Sequence, residues 1–154
     1  MQSTEQILAS TPGSSQLPTN SQTPSRVLVV EPHPTLRTVL VQRLRQDGHL
    51  AAAVGSAAEA VDLCREQSPD LLVSAEILEQ NTAMRLAQQL GCSVIVLTAR
   101  SGVEALVNLL EEGADDVLRK PFGLEELAAR CRTLLKRGRI GLQEKVEVGP
   151  LEVH

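Results

Sequence analysis

The sequence predicts an α/β domain in which one doubly wound parallel sheet carries helices on both faces. Three observations lead there. Short apolar runs, rich in β-branched residues and without polar alternation, have the pattern of strands buried on both sides. Each run is followed by a stretch whose apolar residues recur at helical spacing. The alternation repeats five times between residues 26 and 137, and parallel neighbours need crossover connections of that kind.

Arg26–Val30 (RVLVV) is the first strand. Pro34 suits a first helical position, Leu36, Val39, Leu40 and Leu44 follow at helical spacing, and Gly48 is a natural C-terminal stop. A second strand lies near Leu50–Val54. Ser56 with Glu59 three residues on reads as a capping box that opens a second helix running through Gln67. Residues 70–75 (DLLVSA) form strand three, and 83–90 form a short third helix closed by Gly91. Ser93–Thr98 (SVIVLT) is strand four. Val103, Leu106, Val107 and Leu110 stripe a fourth helix that stops at Gly113. Residues 117–119 are strand five, and 124–137 the last helix.

Outside this region the composition changes. Residues 1–25 hold seventeen Ser, Thr, Gln or Pro and one charged side chain, Glu5, too little apolar surface to offset ordering entropy, so a disordered tail is expected. Ile7 and Leu8 could at most form a small docking motif. Residues 138–145 read as a short linker. The last nine residues (VEVGPLEVH) alternate apolar and polar, as a half-exposed strand pair turning at Gly149 and Pro150 would.

The 154 residues suit one domain, with 42% hydrophobic and 22% charged side chains, the balance of an ordinary globular protein. Cys64, Cys92 and Cys131 are far apart, with no CxxC pair. That spacing argues against a zinc site or a disulfide framework and suits a reducing cytoplasm. The apolar runs are too short to span a bilayer, and the N-terminus lacks a basic region followed by an apolar one. Phe122 is the single aromatic residue, which excludes a stacking platform for nucleic-acid bases. A net charge of −4 makes the chain as a whole a poor DNA binder. Five of the fifteen basic residues (Arg130, Arg132, Lys136, Arg137 and Arg139) cluster near the end of the last helix, where cations favour the helix macrodipole. His33, between two prolines and without a second ligand nearby, is not expected to hold a metal. His49 is expected to be exposed, and the cysteines to be inert at core-like helix or strand-edge positions, with a redox switch at Cys92 as the less common alternative.

In open α/β sheets, ligands sit outside the carboxyl ends of the strands. The residues there are Glu31, Pro32, Ala75, Glu76, Thr98 and Lys120. The runs VLVVE at 27–31, VIVLTAR at 94–100 and GADDVLRKPFGLEELAAR at 113–130 resemble the receiver domain of bacterial response regulators. GADD and KPF look most like the OmpR/PhoB transcription-factor subfamily. The resemblance covers about residues 26–137 and implies a flavodoxin-like receiver fold. It also implies a pocket where acidic residues after strand one and a phosphoaccepting aspartate at the end of strand three hold magnesium. A hydroxyl after strand four and a lysine before proline then grip the phosphoryl oxygens. Residue by residue, Glu31 takes the first acidic position, Thr98 the hydroxyl and Lys120 the cation, and Lys120–Pro121 is expected to be cis as in the family.

The other positions depart from the pattern. Pro32 stands where the second acid belongs and Ala75 where the phosphoacceptor belongs, and Glu79 and Ala83 replace the proline and glycine of the following loop. Alanine has no nucleophilic oxygen, so the aspartyl-phosphate switch is expected to be absent, with no catalytic residue, no enzyme activity, no metal and no cofactor. Glu76, as the next residue along a strand, should point its carboxylate to the opposite face, as should Ser74. Lys120 is expected to pair with Glu31. Val117, a small aliphatic, takes a position where the family often has an aromatic switch residue.

The subfamily dimerises through the face made by helix four, strand five and helix five. Asp116 with Arg130 and Glu111 with Arg132 match two of its cross-axis ion pairs, while the partner position of Glu126 holds Leu106. An isologous homodimer is therefore expected. The final nine residues resemble the opening strands of a winged-helix output domain, as in a fragment cut just inside it. The expected function is the regulatory domain of a cytoplasmic, DNA-binding transcriptional regulator that works without aspartyl phosphorylation. DNA would be read by the missing domain and not by this fragment, and a regulatory protein partner is possible. The alternative is a phosphate-independent adaptor that binds another signalling protein.

Overall fold

The computed structural model describes residues 24–76 and 82–148. Ten elements alternate along the chain: β1 (Arg26–Val30), α1 (Pro34–Gln46), β2 (Leu50–Val54), α2 (Ala57–Cys64), β3 (Leu71–Ala75), α3 (Thr82–Leu90), β4 (Ser93–Thr98), α4 (Val103–Glu111), β5 (Asp116–Arg119) and α5 (Leu124–Val148). The strands form one parallel sheet in the order β2-β1-β3-β4-β5. The doubly wound arrangement predicted from the alternation is present, and its topological switch point lies between β1 and β3.

The two-residue repeat of each strand divides the core into two layers. Val27 and Val29 of β1 face one side with Leu40, Leu44, Leu127, Cys131 and Leu134, so α1 and α5 cover that face. Leu28 and Val30 face the other, with Ala60, Met84, Ala87 and Leu109, under α2, α3 and α4. Register follows from the same runs: Val27 to Val30 align with Leu71 to Ser74 of β3 and with Ala51 to Val54 of β2.

Local signals set the helix ends. Pro34 begins α1, and the His33 side chain caps it by accepting from the Leu36 N–H. Gly48, at φ +93°, takes the chain out of α1 in a conformation that costs glycine little. Ser56 caps α2 by accepting from the Glu59 N–H at 3.2 Å, while the Glu59 carboxylate accepts from the Gly55 N–H at 2.8 Å, one residue upstream of the usual capping-box partner. Arg43 of α1 reaches Glu125 at the start of α5 at 2.8 Å. The Arg45 guanidinium donates to the Ala51 carbonyl of β2 through both Nε and Nη2, at 3.1 and 2.9 Å.

Three expectations are corrected. α2 ends at Cys64 rather than Gln67. His49 is half-buried rather than exposed. The last helix does not stop at 137: α5 continues through Val148, across the expected linker at 138–145 and into the expected strand pair. Gly138 and Gly141 each disfavour a helix interior by only about 1 kcal/mol, whereas the first residue that breaks one is Pro150. A helix also satisfies its own backbone groups, while a strand pair needs partners beyond itself. The rest of that pair (149–154), the tail at 1–23 and Glu79 lie outside the described residues.

Candidate functional site: the carboxyl end of the sheet

The site residues come from the ends of four strands. Glu31 follows β1, Ala75 ends β3, Thr98 ends β4, and Lys120 follows β5. Glu31 is 1% exposed, and a buried carboxylate needs partners for its oxygens. Both are engaged: Lys120 Nζ lies 2.9 Å from Oε1, and the His33 backbone N–H donates to Oε2 at 3.0 Å. The expected pairing of Lys120 with Glu31 is thus present, and the Lys120–Pro121 peptide is cis. Pro32 is exposed, and its carbonyl, with that of Glu31, accepts from Arg37.

Ala75 is buried and aligned with Leu97 of β4, so its methyl group stands where the resemblance places a phosphoaccepting carboxylate. The receiver family implies a magnesium ion at this point, and the residues present do not fit one. Magnesium requires a near-octahedral oxygen shell. The Glu31 carboxylate already serves an ammonium and a backbone N–H, and Pro32 and Ala75 offer no side-chain oxygen. Among the described residues no group of three or more His, Cys, Asp or Glu converges in a metal-binding cluster.

Glu76 departs from expectation. Its carboxylate does not turn away but accepts from the Thr98 hydroxyl at 2.6 Å and from Arg100 Nε at 3.1 Å. The β3 ladder ends at Ala75, so strand alternation no longer dictates the direction of the next side chain. The Arg100 guanidinium completes the contact at 2.5 Å from the second oxygen. Burial would raise the Glu76 carboxyl. The hydrogen bonds from Arg100 and Thr98, with the Arg100 charge, outweigh it and hold the group below the usual carboxylate range. Ser74, fully buried, donates to the Ala75 carbonyl.

The second group of residues lies on α4, β5 and α5. Val103, Val107 and Leu110 are exposed, Val103 by 72%, and Leu106 is half-buried. At spacings of three and four they form one apolar stripe along α4, while Ala105 and Leu109 face the core. Arg130 binds Asp116 through both carboxylate oxygens, at 3.0 and 2.9 Å, and Glu126 at 3.0 Å, all within one chain. Glu111 and Arg132 are exposed. A cavity of about 340 Å³ opens at the opposite end of the sheet, beside Arg26, Arg45, His49 and Leu50. Its arginines are already bonded, Arg26 to Gln67 and Arg45 to the Ala51 carbonyl.

Residues 27–132 match the family described as the response regulator receiver domain. The chain belongs to that family. It is 33% identical over 132 residues to the DNA-binding response regulator MtrA of Mycolicibacterium smegmatis, covering 83% of this chain and 58% of MtrA. It is 35% identical over 133 residues to the virulence transcriptional regulatory protein PhoP of Salmonella typhi, covering 83% and 59%. Such homologues are of the OmpR/PhoB type suggested by GADD and KPF, and they are regulators. The receiver chain spans somewhat under two thirds of their length. Among solved structures, the signal receiver domain of a putative LuxO repressor protein from Vibrio parahaemolyticus superposes with a TM-score of 0.70 at 25% identity, over 85% of this chain and 99% of that one. A putative response regulator from Chloroflexus aurantiacus gives 0.66 at 28% identity, over 73% and 98%. No described helix of this receiver is long and apolar enough to cross a membrane.

Two residues shape the pocket in a way the sequence reading did not assign. Arg100 ends the VIVLTAR run but was given no role in the pocket. Glu76 was noticed and assigned the wrong direction.

Proposed function

We propose that this receiver is the regulatory module of a cytoplasmic, DNA-binding transcriptional regulator, and that it works without aspartyl phosphate. The observation that carries the reading is the pocket itself: Ala75 at the acceptor position, facing a Glu31 whose two oxygens are held by Lys120 and His33. Such a pocket lacks a nucleophilic oxygen at the acceptor position and a free carboxylate for magnesium. DNA would be bound by a separate domain, as the name of MtrA suggests for that relative.

Output would run through self-association on the α4–β5–α5 face. Supporting this are the apolar stripe of Val103, Leu106, Val107 and Leu110 and the neighbouring Asp116, Glu126 and Arg130. An apolar patch rimmed by paired charges suits a two-fold contact. Glu111 and Arg132 would add ion pairs across the axis.

Sedimentation equilibrium, with and without magnesium and beryllofluoride, tests both halves. A concentration-dependent dimer that the phosphoryl mimic leaves unchanged is the expected result. Association driven by beryllofluoride overturns phosphate independence. A monomer in both conditions overturns the dimer and favours the adaptor reading, in which the same α4 stripe receives another signalling protein.

A further inference from the structure

Glu76, Thr98 and Arg100 form a closed circuit beside the pocket. The Thr98 hydroxyl donates to Glu76 Oε1 at 2.6 Å, Arg100 Nε donates to the same oxygen at 3.1 Å, and Arg100 Nη2 lies 2.5 Å from Oε2. The Arg100 backbone N–H then returns to Thr98 Oγ1 at 3.0 Å. The Glu76 side chain is 12% exposed and that of Arg100 46%, and the bonds to the ionised carboxylate are charge-assisted, stronger than neutral ones. The circuit ties the residue after β3 to the connection between β4 and α4. The start of α4 lacks a hold of its own: Gly102, at φ +100°, begins the helix without a side-chain cap. The first turn of α4 carries Val103, the most exposed residue of the apolar stripe.

We propose that Glu76 is a positioning residue, a carboxylate ligand built into the chain that holds Thr98 and Arg100 and so sets the β4–α4 connection and the first turn of α4. A carboxylate offers a hydroxyl and a guanidinium the acceptor oxygens that a bound oxyanion would offer. Being covalently part of the chain, it neither dissociates nor needs a donor. The connection is therefore held in one arrangement permanently. This rests on the reading of the pocket as phosphate-independent, because a removable phosphoryl group would compete with Glu76 for Thr98.

The test is hydrogen–deuterium exchange on the 154-residue protein, comparing wild type with Glu76→Ala and Glu76→Gln. Exchange across residues 99–106 should quicken by about tenfold or more in Glu76→Ala, with a smaller rise in Glu76→Gln, while the amides of β1 and β3 keep their protection. If Glu76→Ala loosens β1 and β3 as well, the near-isosteric Glu76→Gln decides. A rise confined to 99–106 upholds the proposal, and unchanged exchange there overturns it. Wild type with magnesium and beryllofluoride is the separate control. A change at 99–106 under the mimic overturns phosphate independence and, with it, the permanence of the clamp. Silent Glu76 variants with an equally silent mimic overturn the clamp alone.

Discussion

At the scale of single residues, the pocket is built from fixed pairs. Glu31 is buried and depends on Lys120, whose side chain remains partly exposed. Removing one member of a buried pair leaves the other charge uncompensated, which costs more than the pair contributes. Lys120→Met should therefore destabilise the domain by about 3 kcal/mol, the low end for a buried pair because Lys120 keeps some contact with water. Adding Glu31→Gln should recover a large part of that loss, and urea denaturation of the single and double variants measures both. Glu76 gives a pH signature. Its carboxyl is held below the usual glutamate value of about 4.3. For a depressed acid, the stabilisation is fully present above the unfolded value and is lost as pH falls through the lower folded one. Carboxyl NMR of Glu76 should thus show a midpoint below the usual glutamate value, and Arg100→Ala should move it upward. A Glu76 midpoint in the exposed range would contradict the clamp geometry.

The elements show where the sequence was legible and where it was not. Strands bury both faces, so their apolar runs mark them plainly, and residues at their carboxyl ends could be assigned to a common pocket before any coordinates. The Glu31–Lys120 contact was readable for that reason: two opposite charges stand at the ends of strands that a parallel sheet brings together. Glu76 was misread because strand alternation was carried one residue past the last rung of β3. The end of α5 was misread because the apolar–polar alternation of the last nine residues suggested strands with a linker before them, although neither Gly138 nor Gly141 forbids a helix. In α4 a single helix separates two roles. Leu109, 1% exposed, belongs to the core, and Leu109→Ala should lower stability by about 2–5 kcal/mol in thermal or urea unfolding. Val107 stands on the opposite side, 41% exposed. Val107→Asp should change stability by roughly 0.5 kcal/mol or less while abolishing dimerisation in sedimentation. A Val107→Asp chain that still dimerises would place the contact elsewhere.

For the molecule as a whole, the two core layers account for the chemistry of its thiols. Cys64 and Cys131 are buried and Cys92 is half-buried. Burial pushes the Cys131 thiol up to about 12 and Cys92, helped by the nearby Cys64 and Asp115, up to about 11. The reactive thiolate is therefore scarce at neutral pH. All three thiols should resist a disulfide reagent in the native protein and react once urea unfolds it, with Cys131 the slowest. Rapid labelling of Cys131 under native conditions would show that the layer beneath α5 opens readily. The Arg45 contact with Ala51 has a consequence at the same scale. β2 borders the sheet, and because Leu50 and Val54 bond inward to β1, the backbone groups of Ala51 point outward. An uncovered edge of this kind is a template on which a strand from another molecule can add. The guanidinium occupies the Ala51 carbonyl, one of the acceptors such a strand would use. Arg45 thus takes one acceptor of the β2 edge away from sheet-to-sheet pairing.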